Sequence, residues 1–219
     1  MIDFLQWPGQ LSPVPELRTP LVSALDLCAV AVCAVTGVLV ARGKKMDLMG
    51  VSVIAVVSAL GGGTIRDLLL GCSPVFWVAQ PLGVAVAMAG GWLTFLLSRR
   101  INLTPSAFAI PDALGLALFT VVGAEKSLCL GHGWLVSALM GVITGVFGGV
   151  LRDIICREIP SVFQRTELYA TASLAGALGL VIARGLGVLP LQSVLLGLAI
   201  VAAMRLAACR WKLTLPVAE

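Results

Sequence analysis

One short pattern that combines glycine with two charged residues occurs twice in this 219-residue chain. It reads Gly-Gly-x-x-Arg-Asp, as GGTIRD at 62–67 and as GGVLRD at 148–153. Because glycine weakens a helix by about 1 kcal/mol relative to alanine, adjacent glycines predict an interruption of the helix at each site. Freed backbone carbonyls suit a dehydrated cation, and freed N–H groups suit an anion. The pattern therefore predicts a place where a small ion or zwitterion meets the backbone.

Hydroxyl-bearing and small residues flank each predicted interruption. Ser58 precedes Gly62 by four residues, and Thr144 precedes Gly148 by four, so each hydroxyl lies one helical turn away on the same face. We predict that an ion pathway and two helix kinks are formed by Ser58, Gly61, Gly62, Gly63, Thr144, Gly148 and Gly149. The alternative is that the glycines only allow two helices to cross closely.

Ionisable residues inside apolar segments form a second candidate feature. They are Asp26, Arg66, Asp67, Asp112, Arg152 and Asp153. Each would cost about 2.5–3.5 kcal/mol at the centre of a bilayer, so we expect them to face the protein interior. Neighbours in a helix point about 100° apart, which favours exchange pairs, Arg66 with Asp153 and Arg152 with Asp67. The other two aspartates are alternative partners, and the pairs either take part in conduction or only lock the structure together.

Composition indicates the surroundings in which these groups must work. Apolar residues make up 59% of the chain and charged residues 12%, whereas a soluble domain carries roughly 25% charged residues. The excess apolar surface must face lipid. Seven segments are long and apolar enough to be spans, at 21–41, 48–70, 81–97, 107–124, 133–156, 168–183 and 188–209. We therefore predict an all-α membrane protein with seven transmembrane helices.

The chain aligns with itself when it is shifted by 86 positions. Asp26 then meets Asp112, Pro74 meets Pro160, and the two glycine patterns coincide. Each copy holds three spans, and an odd number sends the second copy into the membrane from the opposite side. The predicted organisation is a 3+3 inverted repeat with one extra helix. Its parts are an N-terminal extramembrane segment (1–20), the first repeat (21–100), the second repeat (107–186), a seventh helix (188–209) and a cytoplasmic tail (210–219).

Basic residues predict the orientation of the chain in a bacterial inner (plasma) membrane. With seven spans, most Lys and Arg residues fall on one side, which is typical of the cytoplasmic side. The N-terminus is then outside, without a cleavable signal, and the C-terminus is cytoplasmic. The net charge of +4 reflects this bias and predicts no nucleic-acid partner. Glu125 and Lys126 close the fourth span as a solvated helix end, or alternatively Lys126 is a charge at a pore mouth that senses voltage.

No pattern typical of an enzyme occurs in the sequence. We find no nucleophile with a matching base, no metal-ligand cluster and no phosphate-binding loop, so we predict no catalytic, metal or cofactor site. The six cysteines form no C-x-x-C pair and are interpreted as small apolar residues. His132 is the only histidine.

The doubled Gly-Gly-x-x-Arg-Asp pattern, with three, three and one spans, resembles the prokaryotic trimeric intracellular cation channels. Their wider family has also been labelled glycine transporter, and the resemblance covers about residues 20–208. It implies a homotrimer in which each protomer holds an hourglass pore at the kinked second and fifth spans, with potassium as the main permeant ion and sodium also passing. Animal members carry a lysine-bearing first glycine motif where this chain has Ser58-Ala59-Leu60, so animal-type gating is not implied.

We therefore predict a channel for monovalent cations that prefers potassium. Backbone carbonyls and the two hydroxyls would replace water around the ion, membrane lipids would surround the trimer, and a bound lipid would be compatible with the fold. The second hypothesis is a secondary transporter of a small zwitterion such as glycine, and the third is a scaffold that conducts nothing.

Overall fold

The computed structural model describes residues 20–44, 46–98, 106–164 and 168–214. Within these ranges the chain forms seven long helices and two short helical segments. They are α1 (Pro20–Ala41), α2 (Leu48–Leu69), the short α3 (Phe76–Ala79), α4 (Leu82–Ser98), α5 (Ser106–Cys129), α6 (Trp134–Ile155), a 3-10 turn (Ser161–Phe163), α7 (Ala170–Gly185) and α8 (Pro190–Trp211). The predicted segment 1–20, apart from its last residue, and the end of the predicted tail lie outside the described residues.

The long helices match the predicted apolar segments in order and position. Five of them are long and apolar enough to cross a membrane, so the chain is a multi-pass membrane protein with helical spans. α4 and α7 are apolar but have only 17 and 16 residues, or about 25 Å of helix against a hydrocarbon core of about 30 Å. The number of seven spans and the inverted arrangement of the repeats stay predictions.

The turns that end α2 and α6 show the internal repeat in the backbone. Gly71, after α2, has φ of 66°, a left-handed conformation that favours glycine. The residue 86 positions later, after α6, is Arg157, and it adopts nearly the same φ of 57°. A non-glycine residue at positive φ is uncommon, so the fold imposes the same turn on both copies.

Each repeat contributes its own apolar core. α1, α2 and α4 bury Val30, Ile54 and Ala87, while α5, α7 and α8 bury Val121, Leu180 and Val194 around a second centre. Many buried positions in both cores hold alanine or valine, which lets helices approach closely. Large apolar side chains instead cover the outer surface, as expected where the neighbour is lipid.

Candidate functional site

α2 and α6 cross through the two glycine patterns without interruption. Both run as single α-helices through their glycines, so the predicted breaks are wrong. A Cβ added at Gly62 would come within 3.0 Å of the carbonyl oxygen of Thr144, and one at Gly148 would lie 2.5 Å from the carbonyl oxygen of Ser58. These two contacts are equivalent under the 86-residue shift. The glycines therefore let two backbones touch, which supports the packing interpretation.

The neighbouring small residues serve the same close packing. A side chain at Gly61 would meet Leu151, one at Gly63 would meet Phe76, and one at Gly149 would meet the hydroxyl of Tyr169. The Thr144 hydroxyl donates to the carbonyl of Met140 in its own helix at 2.6 Å. Because these helices keep their internal hydrogen bonds, the glycines leave no free carbonyls to replace an ion's water.

The first charge cluster lies where α2 ends. Arg66 Nε donates to Asp67 Oδ1 at 2.7 Å, and the backbone N–H of Phe76 donates to Asp67 Oδ2 at 2.8 Å. Lys126 Nζ, from the last turns of α5, lies 2.7 Å from the same Oδ1. Arg66 and Asp67 are 1% and 0% exposed. Asp67 thus connects α2, α3 and α5 through one buried carboxylate.

The second charge cluster repeats this arrangement where α6 ends. Arg152 Nε donates to Asp153 Oδ1 at 2.8 Å, and the backbone N–H of Ser161 donates to Asp153 Oδ2 at 3.0 Å. Here the arginine has a further partner, because Arg152 Nη1 lies 3.1 Å from Asp112 Oδ1. Arg205 Nη2, from α8, lies 3.4 Å from the other oxygen of Asp112. Asp112 is therefore an arginine partner, as the alternative pairing predicted.

The predicted exchange pairs between the repeats are wrong. Each arginine instead bonds the aspartate that follows it, because its long side chain spans the angle between adjacent helical positions. α2 and α6 are antiparallel at their crossing, so their charged ends lie at opposite ends of the bundle. On this register Arg66 and Asp153 are separated by roughly 13 helical residues, or about 20 Å along the axis.

The end of α5 is not the solvated helix end that one interpretation predicted. α5 continues to Cys129, and Glu125 is 2% exposed with one carboxylate oxygen 3.5 Å from Arg184 Nη2. Lys126 is only partly exposed and reaches the buried Asp67. Its position at the edge of a cavity agrees with a mouth charge, and a voltage-sensing role stays a prediction.

A cavity of about 450 Å³ opens beside the first charge cluster. Residues from the beginning of α1 and from the ends of α2 and α5 line it, among them Asp26, Arg66, Val122 and Lys126. Asp26 Oδ1 and Arg66 Nη1 are buried, and neither has a hydrogen-bond partner within the described part of the chain. The wall of this cavity thus contains a carboxylate oxygen and a guanidinium nitrogen that have no hydrogen-bond partner among the described residues.

The equivalent place beside the second cluster is nearly filled. A cavity of about 10 Å³, too small for more than one water molecule, is lined by Cys33, Ser58, Asp112 and Arg152, among others. These residues come from the second half of α1, the middle of α2, the beginning of α5 and the end of α6, so the small cavity lies toward the opposite end of the bundle. The larger of these two cavities therefore lies toward one end of the bundle and the smaller toward the other.

Two arginines that form ion pairs in the structure, Arg184 and Arg205, were not among the predicted site residues. Arg205 lies inside the last apolar segment, contacts Asp112 and sits 4.8 Å from the ring of Tyr169. Arg184 pairs with Glu125. A charged residue within an apolar span is costly, and that cost was a sufficient signal for Arg205, which lies inside the predicted span 188–209. Arg184 lies just beyond the predicted span 168–183 and gave no such signal.

The family model described as glycine transporter matches the chain twice, over residues 23–99 and 109–185. The UPF0126 inner membrane protein YadS of Escherichia coli strain K12 is 44% identical over 198 residues, which cover 90% of this chain and 95% of that protein. A UPF0126 membrane protein of Vibrio cholerae is 44% identical over 201 residues, covering 91% and 84% of the two chains.

Solved structures of channels share the fold. The trimeric intracellular cation (TRIC) channel orthologue from Rhodobacter sphaeroides superposes with a TM-score of 0.85 and 37% identity, covering 89% of this chain and 100% of that one. A second TRIC cation channel structure gives 0.82 and 30%, covering 90% and 97%. The resemblance that the doubled motif indicated is confirmed.

Close contact at the crossing predicts that Gly62→Ala and Gly148→Ala lower the thermal midpoint of the detergent-purified protein. Overpacking of this kind costs about 1–3 kcal/mol. Gly90→Ala in α4 is the matched control, because the nearest atom to its added Cβ is 3.7 Å away. A midpoint for Gly62→Ala that equals that of Gly90→Ala would contradict the close crossing.

The unequal partners of the two arginines predict unequal losses of stability. Arg152→Met leaves two buried carboxylates without this guanidinium and should cost about 3–5 kcal/mol. Arg66→Met should cost less, because Asp67 keeps Lys126. Unfolding by denaturant in mixed micelles compares the two variants, and the reverse order would show that Asp112 is not a strong partner of Arg152.

Proposed function

This chain belongs to the glycine transporter family of UPF0126 membrane proteins, and we propose that it works as a cation channel. The similarity to TRIC cation channels over nearly the whole chain supports this function and confirms that the protein is not an enzyme. The observation that carries the proposal is the cavity of about 450 Å³ with a buried, unpaired carboxylate oxygen on Asp26.

In the proposed pathway a cation enters the large cavity and is held by side chains. Asp26 supplies an oxygen without a hydrogen-bond partner, while Asp67 is shared by Arg66 and Lys126. In this pathway the Asp26 oxygen takes the ligand role that free carbonyls at a helix break would have had. The selectivity of such a site comes from the charge and number of its oxygen ligands.

The constriction of the proposed pathway lies toward the other end of the bundle. There the Arg152–Asp112 contact of 3.1 Å stands beside Ser58 and Gly148, where only about 10 Å³ is free. Ion flow requires this contact to open, so the conformation described is a closed one. Ser58 lines this small cavity, so we retain it in the proposed pathway beside the charge pair.

We further propose how the chain assembles, which ion it prefers and how it is oriented in the membrane. We infer a homotrimer with one pathway in each protomer, because the similar Rhodobacter sphaeroides protein is a trimeric channel. We propose potassium as the main permeant ion and sodium as a second permeant ion. The proposal includes no resident cofactor. The basic residues at the turn after α1 and at the end of α8, Arg42, Lys44, Arg210 and Lys212, support a cytoplasmic C-terminus and an external N-terminus.

A second candidate function is transport of a small zwitterion such as glycine. The free Asp26 oxygen and the free Arg66 nitrogen share one cavity, and they match an ammonium and a carboxylate. The description of the matching family model agrees with this candidate. Inverted repeats around a central site are also typical of transporters.

Electrical recording separates these functions. Purified protein in a planar bilayer with potassium chloride should produce unitary potassium currents if it is a channel. Saturable, gradient-dependent glycine uptake into proteoliposomes without unitary current would contradict the channel and support the carrier. The absence of both signals would leave only the scaffold hypothesis.

Neutralising the cavity carboxylate tests the pathway itself. Asp26→Asn should lower the unitary potassium conductance roughly twofold or more, because the one unpaired oxygen charge in the cavity is lost. Asp47→Asn is the control, since Asp47 caps α2 outside the cavity and asparagine can also accept the N–H of Gly50. Equal conductance in both variants would remove Asp26 from the pathway.

A further inference from the structure

Arg205 ends a buried chain of four alternating charges beside the proposed constriction. Arg152 Nε donates to Asp153 Oδ1 at 2.8 Å, and Arg152 Nη1 donates to Asp112 Oδ1 at 3.1 Å. Arg205 Nη2 donates to the other carboxylate oxygen of Asp112 at 3.4 Å. All four side chains are at most 7% exposed. Among the described residues, two carboxylates and two guanidiniums are thus joined in one electrically neutral chain.

The first charge cluster also takes a second cation from outside its own repeat. Lys126, on α5, contacts the same Asp67 oxygen that accepts from Arg66. The residue that matches Lys126 under the 86-residue shift is Val40, which carries no charge. α8, which carries Arg205, lies outside the repeat pair. The second cation is therefore not part of the duplicated pattern, and a different helix supplies it to each cluster.

The two second cations differ in how well water can take over their charge. The side chain of Lys126 is 29% exposed and lines the cavity of about 450 Å³. The side chain of Arg205 is 7% exposed, and its partners Asp112 and Tyr169 line a cavity of only about 10 Å³. The Arg205 guanidinium also lies 4.8 Å from the ring of Tyr169 and donates to the carbonyl of Leu168 at 3.5 Å. Water can therefore solvate Asp67 if Lys126 is lost, but it has almost no room to solvate Asp112 in the same way.

Without Arg205, two buried carboxylates would share the single guanidinium of Arg152. A buried carboxylate is costly unless a cation compensates its charge. We propose that Arg205 is a tethered counter-ion, which compensates Asp112 at the constriction in place of a permeant cation. This inference rests on the proposed channel and adds a residue that determines how tightly its constriction holds a cation.

A tethered counter-ion is useful in a channel because it keeps the constriction from trapping the ion. An ion must bind firmly enough to enter a narrow site and weakly enough to leave it. When the contact between Arg152 and Asp112 opens, Arg205 stays on the other oxygen of Asp112 and limits the negative charge that a passing cation meets. If the channel conducts, the potassium current of Arg205→Gln should therefore saturate at a lower potassium concentration than that of the parent.

Thermal unfolding in different salts tests the counter-ion without measuring any transport, so its failure is distinguishable from a failure of the proposed channel. The purified protein is unfolded in detergent with increasing KCl, or with choline chloride at the same ionic strength. In Arg205→Gln a potassium ion should replace the lost charge, so the thermal midpoint should rise roughly 3–5 °C for each tenfold increase in KCl concentration. Choline is too large for this site and should give no such rise, and the parent should respond equally to both salts.

Four control variants separate the charge of Arg205 from its packing. Arg205→Lys keeps the charge and should behave like the parent, and Arg210→Gln removes an exposed charge from the end of the same helix and should do the same. The double variant Arg205→Gln/Asp112→Asn restores neutrality, so it should be more stable than Arg205→Gln in choline chloride and should not respond specifically to potassium. Lys126→Gln should show a smaller potassium-specific shift than Arg205→Gln, because the large cavity lets water solvate Asp67.

Three results would overturn the tethered counter-ion. An Arg205→Gln protein that responds equally to KCl and choline chloride would show that no cation takes the place of the guanidinium. If the double variant is as unstable as Arg205→Gln, or if neither assembles, Arg205 acts through its packing on Tyr169 and not through its charge. If Arg205→Gln fails to assemble even in KCl while the double variant folds, potassium cannot substitute for Arg205. A potassium-specific rise confined to the unbalanced variants supports the proposal, whether or not unitary currents are found.

Discussion

An arginine that is buried among apolar helices must keep a carboxylate within reach, and this requirement organises the whole bundle. Arg66 and Arg152 are almost fully enclosed, and each takes its first partner from the next residue in its own helix. The partner's second oxygen accepts a backbone N–H from the segment that follows the helix. The charge pair, which would be costly in lipid, thereby connects the end of each helix to the segment that follows it.

Glycine has a different role from the one that its helix propensity suggests. Its low propensity would interrupt an isolated helix, but packing outweighs a cost of about 1 kcal/mol per residue. α2 and α6 gain backbone contact at Gly62 and Gly148 that no other residue would permit. Because α2 and α6 are unbroken, the pathway that we propose relies on side-chain charges instead of free backbone carbonyls.

The two halves of the molecule are alike in sequence but unequal in the structure. Both charge clusters pair an arginine with the aspartate that follows it, but Asp67 also contacts Lys126, whereas Arg152 also contacts Asp112. A cavity of about 450 Å³ lies beside the first cluster and one of about 10 Å³ beside the second. The unrepeated α8 also contributes to this difference, because its Arg205 lies 3.4 Å from Asp112.

Composition and the 86-residue repeat by themselves determined that this is a helical membrane protein with two related halves, since apolar length and costly residues act locally. They also identified Asp26, Arg66, Asp112 and Arg152 as interior charges, because burial of charge is costly wherever the chain folds. Only the tertiary structure decided which carboxylate each arginine bonds. It also decided that α2 and α6 remain unbroken and cross at their glycines. Both depend on the antiparallel register of α2 against α6, a relation between distant segments that no local pattern specifies.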